Sequence, residues 1–99
     1  MVYIFFLLDR PDTEALRLTV RSSHRMYLET VADHIAFAGP LLDEKGTMIG
    51  SLLAIDFPSE VAARAWISQE PFTQAGLYAS VQIHAFENRW PQKTGFPSA

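Results

Sequence analysis

The sequence predicts an α+β fold in which an antiparallel four-stranded sheet carries two helices, in the order β-α-β-β-α-β. Three observations support this reading. Four short runs rich in branched and aromatic residues have strand-like patterning, two intervening segments place apolar residues at helical spacing, and clusters of Gly, Pro and Asp separate them. In that order both helices cover one face of the sheet and leave the other bare, the ferredoxin-like arrangement.

Val2 to Asp9 reads as the first strand. Tyr3, Phe5 and Leu7 alternate with Val2, Ile4, Phe6 and Leu8, so both of its faces are apolar and both need cover. A second copy of the chain is the simplest cover for the bare sheet face, and two sheets packed face to face enclose a barrel-like interior; a homodimer is expected. Pro11 and Asp12 interrupt, with Asp12 or Thr13 as N-cap and Glu14 in the first helical turn. The spacing predicts a helix from about Thr13 to about Asp33. Its buried stripe is Leu16, Val20, His24, Tyr27, Leu28 and Val31, with Arg17, Arg25, Glu29 and Asp33 off it.

His34 to Leu42 reads as a second strand, placed at an edge or a bulge by Gly39-Pro40. The turn Asp43 to Thr47 joins it to a third strand, Met48 to Phe57, whose Ile49, Ser51, Leu53, Ile55 and Phe57 share one face. Ser59 is the expected N-cap of a second helix, with Val61, Ala62, Ala65, Trp66 and Gln69 on one side and Pro71 as its stop. Phe72 to Gly76 reads as a short helical turn. Leu77 to Glu87 is the fourth strand, alternating Ala79, Val81, Ile83 and Ala85 against Tyr78, Ser80, Gln82, His84 and Phe86. The expected domain spans residues 1–88. Residues 89–99 form a tail whose prolines and glycine forbid a regular element.

Composition narrows the function. Ninety-nine residues with 48% apolar and 19% charged side chains make one folded domain. A net charge of −3 without a basic cluster offers no footprint for nucleic acid or for an anionic membrane. The opening apolar run ends at Asp9-Arg10-Pro11, too short to span a bilayer, and has neither a basic leader nor a cleavage site. With no cysteine, disulfides and thiolate chemistry are excluded, which fits a cytoplasmic location. No nucleophile elbow, phosphate loop, dinucleotide fingerprint or zinc-helix motif occurs. The histidines, at 24, 34 and 84, fall on three different elements, so no metal site is expected.

What remains is His24 and the segment that ends the second helix. If both helices share a face of the sheet, Glu70 can accept a hydrogen bond from one imidazole nitrogen and leave the other to move a proton. Against this stand a core histidine satisfied by a backbone carbonyl and a solvated acid beside a helix-stopping proline. Arg21 reads either as a surface cation or as an anchor for a substrate carboxylate, and Ser51 either as a strand hydroxyl or as a substrate contact.

The pattern Arg21-x-x-His24-x-x-Tyr27-Leu28, Ala38-Gly39-Pro40, Gly50-Ser51, Glu70-Pro71-Phe72-x-x-Ala75-Gly76-Leu77-Tyr78 and Ala85-Phe86 resembles the YCII-related (YciI-like) family. The resemblance covers Tyr3 to about Phe86. It implies a dimeric α/β-barrel of ferredoxin-like subunits and a histidine–aspartate pair as the active site. His24 matches the histidine, and Glu70 stands where the family has aspartate. It also implies cofactor-free chemistry on a small molecule, one member being a dehydrochlorinase of a chlorinated hydroxyquinol. The expected function is therefore general acid–base catalysis of elimination, dehydrochlorination or isomerisation by His24 and Glu70, without cofactor, on a small polar or aromatic molecule held by Arg21 and Ser51. A non-catalytic binding or sensing dimer and a plain dimerisation domain are the alternatives.

Overall fold

The computed structural model describes residues 1–90, so the expected tail lies outside the described residues from 91 on. The chain runs β1 (Val2–Asp9), α1 (Glu14–Glu29), a 3-10 turn (Ala32–His34), β2 (Ile35–Leu42), β3 (Met48–Asp56), α2 (Glu60–Ser68), α3 (Pro71–Gln74) and β4 (Tyr78–Phe86). The strands form one antiparallel sheet in the order β2-β3-β1-β4. The strand that is apolar on both sides lies inside the sheet, and the one carrying Gly39-Pro40 lies at its edge, where the missing N–H of Pro40 costs no inner ladder bond.

The register sets the core. Phe5 stands opposite Leu53 on one side and Ile83 on the other, and Tyr3 opposite Ile55. These side chains pack under the helices with Phe57, Ala63 and Ile67. Phe5 meets Phe57 and Trp66 edge-on at 6.0 and 5.7 Å, contacts worth about 0.5–1.5 kcal/mol each beyond the area they bury. No helix covers the opposite face, where Val2, Ile4, Phe6, Leu8 and Leu52 are half-buried and Phe86 is exposed. No helix among the described residues is long and apolar enough to cross a membrane.

Several local expectations are corrected. The first helix stops at Glu29, short of Asp33, because Thr30, Val31 and His34 tighten to i→i−3 bonds on Tyr27, Leu28 and Val31. Thr13 occupies the N-cap position, but its hydroxyl donates to the Arg10 carbonyl at 2.6 Å instead of capping. Ser59 does cap α2, accepting from the Ala62 N–H at 3.1 Å, a contact worth about 1 kcal/mol. The buried side of α2 is Ala63 and Ile67, flanked by half-buried Ala62 and Trp66, whereas Val61, Ala65 and Gln69 are exposed. Glu70 follows just beyond the end of the helix, its N–H donating to the Ile67 carbonyl at 3.2 Å, and its side chain is buried as well.

In β4 the strict alternation fails at one place. Leu8 pairs with Ser80 but Asp9 pairs with Tyr78, so Ala79 is an extra residue in a β-bulge. The bulge brings Tyr78 to the helix side with Asp9, away from the face it would share with Ser80 and Gln82.

Candidate active site

The site lies where α1 crosses β3 and meets α3. α1 presents Arg17, Arg21, His24, Arg25 and Leu28 to a cleft of about 320 Å³, opposite Ala38, Gly39 and Pro40 of β2, Ser51 and Leu53 of β3, and Phe72 of α3. Its walls mix apolar side chains with guanidinium groups, the lining expected of a small-molecule site.

His24 is buried against Glu70, and its Nδ1 forms a short hydrogen bond with Glu70 Oε1. Glu70 is wholly buried, so every lone pair left unsatisfied would be costly. Local backbone supplies part of the compensation. Glu70 is the N-cap of α3, with Pro71 at the first helical position, and Oε1 also accepts the Phe72 N–H at 3.1 Å. Tyr78, turned inward by the bulge, donates its hydroxyl to Oε2 at 3.0 Å. Burial first, and then the negative charge of Glu70, push the Tyr78 hydroxyl well above its ordinary pKa of 10.0; the same two causes raise Tyr27.

The imidazole is held flat as well as tethered. His24 stacks on the Phe72 ring with centroids 4.0 Å apart and planes 16° from parallel. With an ionised carboxylate on Nδ1, that nitrogen carries the proton and Nε2 is the free lone pair of the neutral ring. No described residue bonds Nε2.

A second buried pair stands beside the first. The Arg17 guanidinium meets Asp9 through Nε to Oδ2 at 2.8 Å and Nη2 to Oδ1 at 3.0 Å, and Nη2 also donates to Ser51 Oγ at 3.0 Å. Its Cζ lies 4.8 Å from the centroid of the same Phe72 ring that supports His24. The expectation that Arg17 lies off the buried stripe is therefore overturned. Arg17 and His24 are the two buried residues of α1, while Leu16 and Val20 are only half-buried. They are seven residues apart and so share a helical face, and the bidentate pairing with Asp9 makes burial of an arginine tolerable.

All four residues singled out from the sequence converge here, in different roles. His24 and Ser51 line the cleft, Arg21 is exposed on its rim, and Glu70 lies behind His24, out of the cleft lining. Arg17, Asp9, Phe72 and Tyr78 were not assigned roles there. Asp9 was legible as the next residue in the row Tyr3, Phe5 and Leu7, and Arg17 as the residue two turns before His24. Tyr78 was not, because nothing local announces the bulge. His34 and His84 lie elsewhere, and no described group of three or more His, Asp or Glu side chains could hold a metal ion.

Comparison with known proteins agrees with this architecture. The chain is 32% identical over 95 residues to an uncharacterised protein of Haemophilus influenzae, covering 88% of this chain and 97% of that relative. It is 30% identical over 95 residues, with the same coverage, to protein YciI of Escherichia coli O6:H1. Among solved structures it is similar to the 5-chloro-2-hydroxyhydroquinone dehydrochlorinase TftG of Burkholderia phenoliruptrix, in complex with 2,5-dihydroxybenzoquinone, with a TM-score of 0.85 and 26% identity over 90% of this chain and 96% of that one. The YCII-related domain matches residues 1–87, and the chain belongs to that family.

Proposed function

We propose that the protein is a homodimeric, cofactor-independent enzyme that moves a proton on a small molecule with His24 as general base and Glu70 as its orienting carboxylate. The observation that carries this reading is the tethered imidazole: Nδ1 on a fully buried carboxylate, Nε2 unbonded, in the wall of a cleft. In an elimination, Nε2 takes a proton from carbon, or, in the keto tautomer of a chlorinated hydroxyquinol, from a hydroxyl conjugated to the chlorine-bearing carbon; the freed electron pair shifts to form the new double bond, and the leaving group departs with its own pair. Glu70 stabilises the imidazolium until the proton passes to solvent. Arg21 on the rim attracts a negatively charged group, and Ser51 helps to shape the floor. Similarity to a dehydrochlorinase of a chlorinated hydroxyquinol supports elimination as the reaction type. The apolar, helix-free sheet face supports a second copy as its cover.

The test is chloride release from 5-chloro-2-hydroxyhydroquinone, measured against the protein-free rate. His24→Gln is expected to lower turnover by ~10²–10⁴, the usual share of general acid–base help. Parent protein that releases no chloride above background, or a His24→Gln variant within threefold of it, overturns the reading.

A further inference from the structure

Arg17 uses only part of its hydrogen-bonding capacity. Nε and Nη2 are engaged by Asp9 and Ser51, while Nη1 has no acceptor among the described residues. A guanidinium carries five N–H donors in a fixed fork. This side chain is more than nine-tenths buried and yet lines the cleft. Nη1 is not among the fully buried polar atoms that lack a partner, so it keeps an opening to solvent at the cleft that Arg17 lines, where an acceptor on a bound molecule can take the place of water.

The geometry also says what kind of acceptor. The two bonds to Asp9, the bond to Ser51 and the Phe72 ring hold the guanidinium in place, so its free donors are preformed. Asp9 balances its charge, and what Arg17 offers is direction. Net positive charge comes from the rim, where Arg21 and Arg25 are exposed without an ion pair among the described residues. Leu28, Leu53 and Phe72 supply apolar wall, and the volume has room for a molecule of at least one ring.

We infer that the cleft binds a one-ring organic acid and that Arg17 takes its charged oxygen through Nη1. This rests on the acid–base reading above and names the substrate class for it: a carboxylate, or a phenol or enol acidic enough to ionise. As a proton is taken from the bound acid, the negative charge carried by that oxygen is drawn into the new double bond as the leaving group departs, and the fixed guanidinium beside it holds the ionised form in place until then. Arg17 is thus a residue that touches substrate, with Asp9 and Ser51 positioning it.

The experiment is an NMR-monitored titration of the full chain with benzoate, with its neutral isostere benzamide, and with 4-nitrophenolate as the phenolic arm. Benzoate or 4-nitrophenolate, or both, bind at least tenfold more tightly than benzamide. Arg17→Lys keeps a cation against Asp9, and with it the fold, but loses the fork; it weakens the acid at least tenfold and leaves benzamide unchanged. That loss persists in high salt because the contact is buried, whereas Arg21→Gln and Arg25→Gln weaken the acid only at low ionic strength. Ser51→Ala, which removes a support without touching the ion pair, weakens the acid about threefold. Acid affinity unchanged in both Arg17→Lys and Ser51→Ala, or no preference for either acid over the amide in the parent, overturns the inference. The two readings separate cleanly. A parent that prefers the acid but never releases chloride keeps the role of Arg17 and removes the enzyme, and chloride release that depends on His24 with no acid preference does the reverse.

Discussion

Replacing Tyr78 by Phe removes one oxygen and, with it, the only donor that the described residues supply to Glu70 Oε2. The ring stays, still able to meet Phe72 edge-on at 6.1 Å, so little apolar burial changes. The cost is that of leaving a buried carboxylate oxygen unmatched. Hydrogen bonds to charged groups contribute about 1.5–3 kcal/mol, which lowers the folding equilibrium constant roughly 10- to 150-fold. In urea, with a slope of about 1–1.5 kcal/mol per molar for a domain this small, the midpoint falls by ~1–3 M without a change in slope. Protein concentration is held fixed, since a dimer links stability to concentration. The same variant makes a pH prediction. The folded hydroxyl of Tyr78 titrates far above its ordinary value of 10.0, owing first to burial and then to Glu70. Above pH 10 the unfolded chain loses this proton while the fold retains it, so a contribution fully present below pH 10 declines by about 1.4 kcal/mol per pH unit. Tyr78→Phe removes that decline, and the difference in alkaline slope between parent and variant measures it. Stability within 0.5 kcal/mol of the parent, together with an unchanged alkaline slope, would refute the placement of Tyr78 on Glu70.

Two further outcomes follow from the sheet. A Cβ at Gly50 would lie 2.2 Å from the Leu7 carbonyl oxygen, so Gly50→Ala forces β1 and β3 apart beside Ser51. A loss of about 3 kcal/mol is expected, seen as a melting temperature lower by roughly 10–25 °C; a variant that melts with the parent contradicts the close approach. Phe6 lies on the helix-free face, and Phe6→Glu is expected to convert a dimer into a monomer in sedimentation equilibrium, with the helix-side core intact by circular dichroism. A parent that sediments as a monomer at micromolar concentration removes the proposed pairing.

The sequence by itself determined the order of elements and the faces of β1 and β3, because a strand's period of two maps side chains onto faces whatever surrounds them. It also singled out His24, since an ionisable ring among Tyr27, Leu28 and Val31 needs a partner. It misjudged α2, where Val61 reads as apolar but is exposed and Ala63 carries the contact. Small residues decide where a helix can approach a sheet, and hydrophobicity alone does not rank them.

The tertiary structure decided which charges are buried. Arg17 looks in sequence like any surface base, and Glu70 is marked there as a partner for His24 but not as a wholly buried ion; burial of either is prohibitive until a partner is in place. One partner of each is far along the chain, His24 for Glu70 and Ser51 for Arg17, and the other, Tyr78 or Asp9, is eight residues away on a different element. Only a folded sheet, with one extra residue at Ala79 to turn Tyr78 inward, makes the buried carboxylate tolerable. Local sequence specifies propensities and faces, whereas the stability of a buried ion depends on groups that only the closed fold brings within hydrogen-bonding distance.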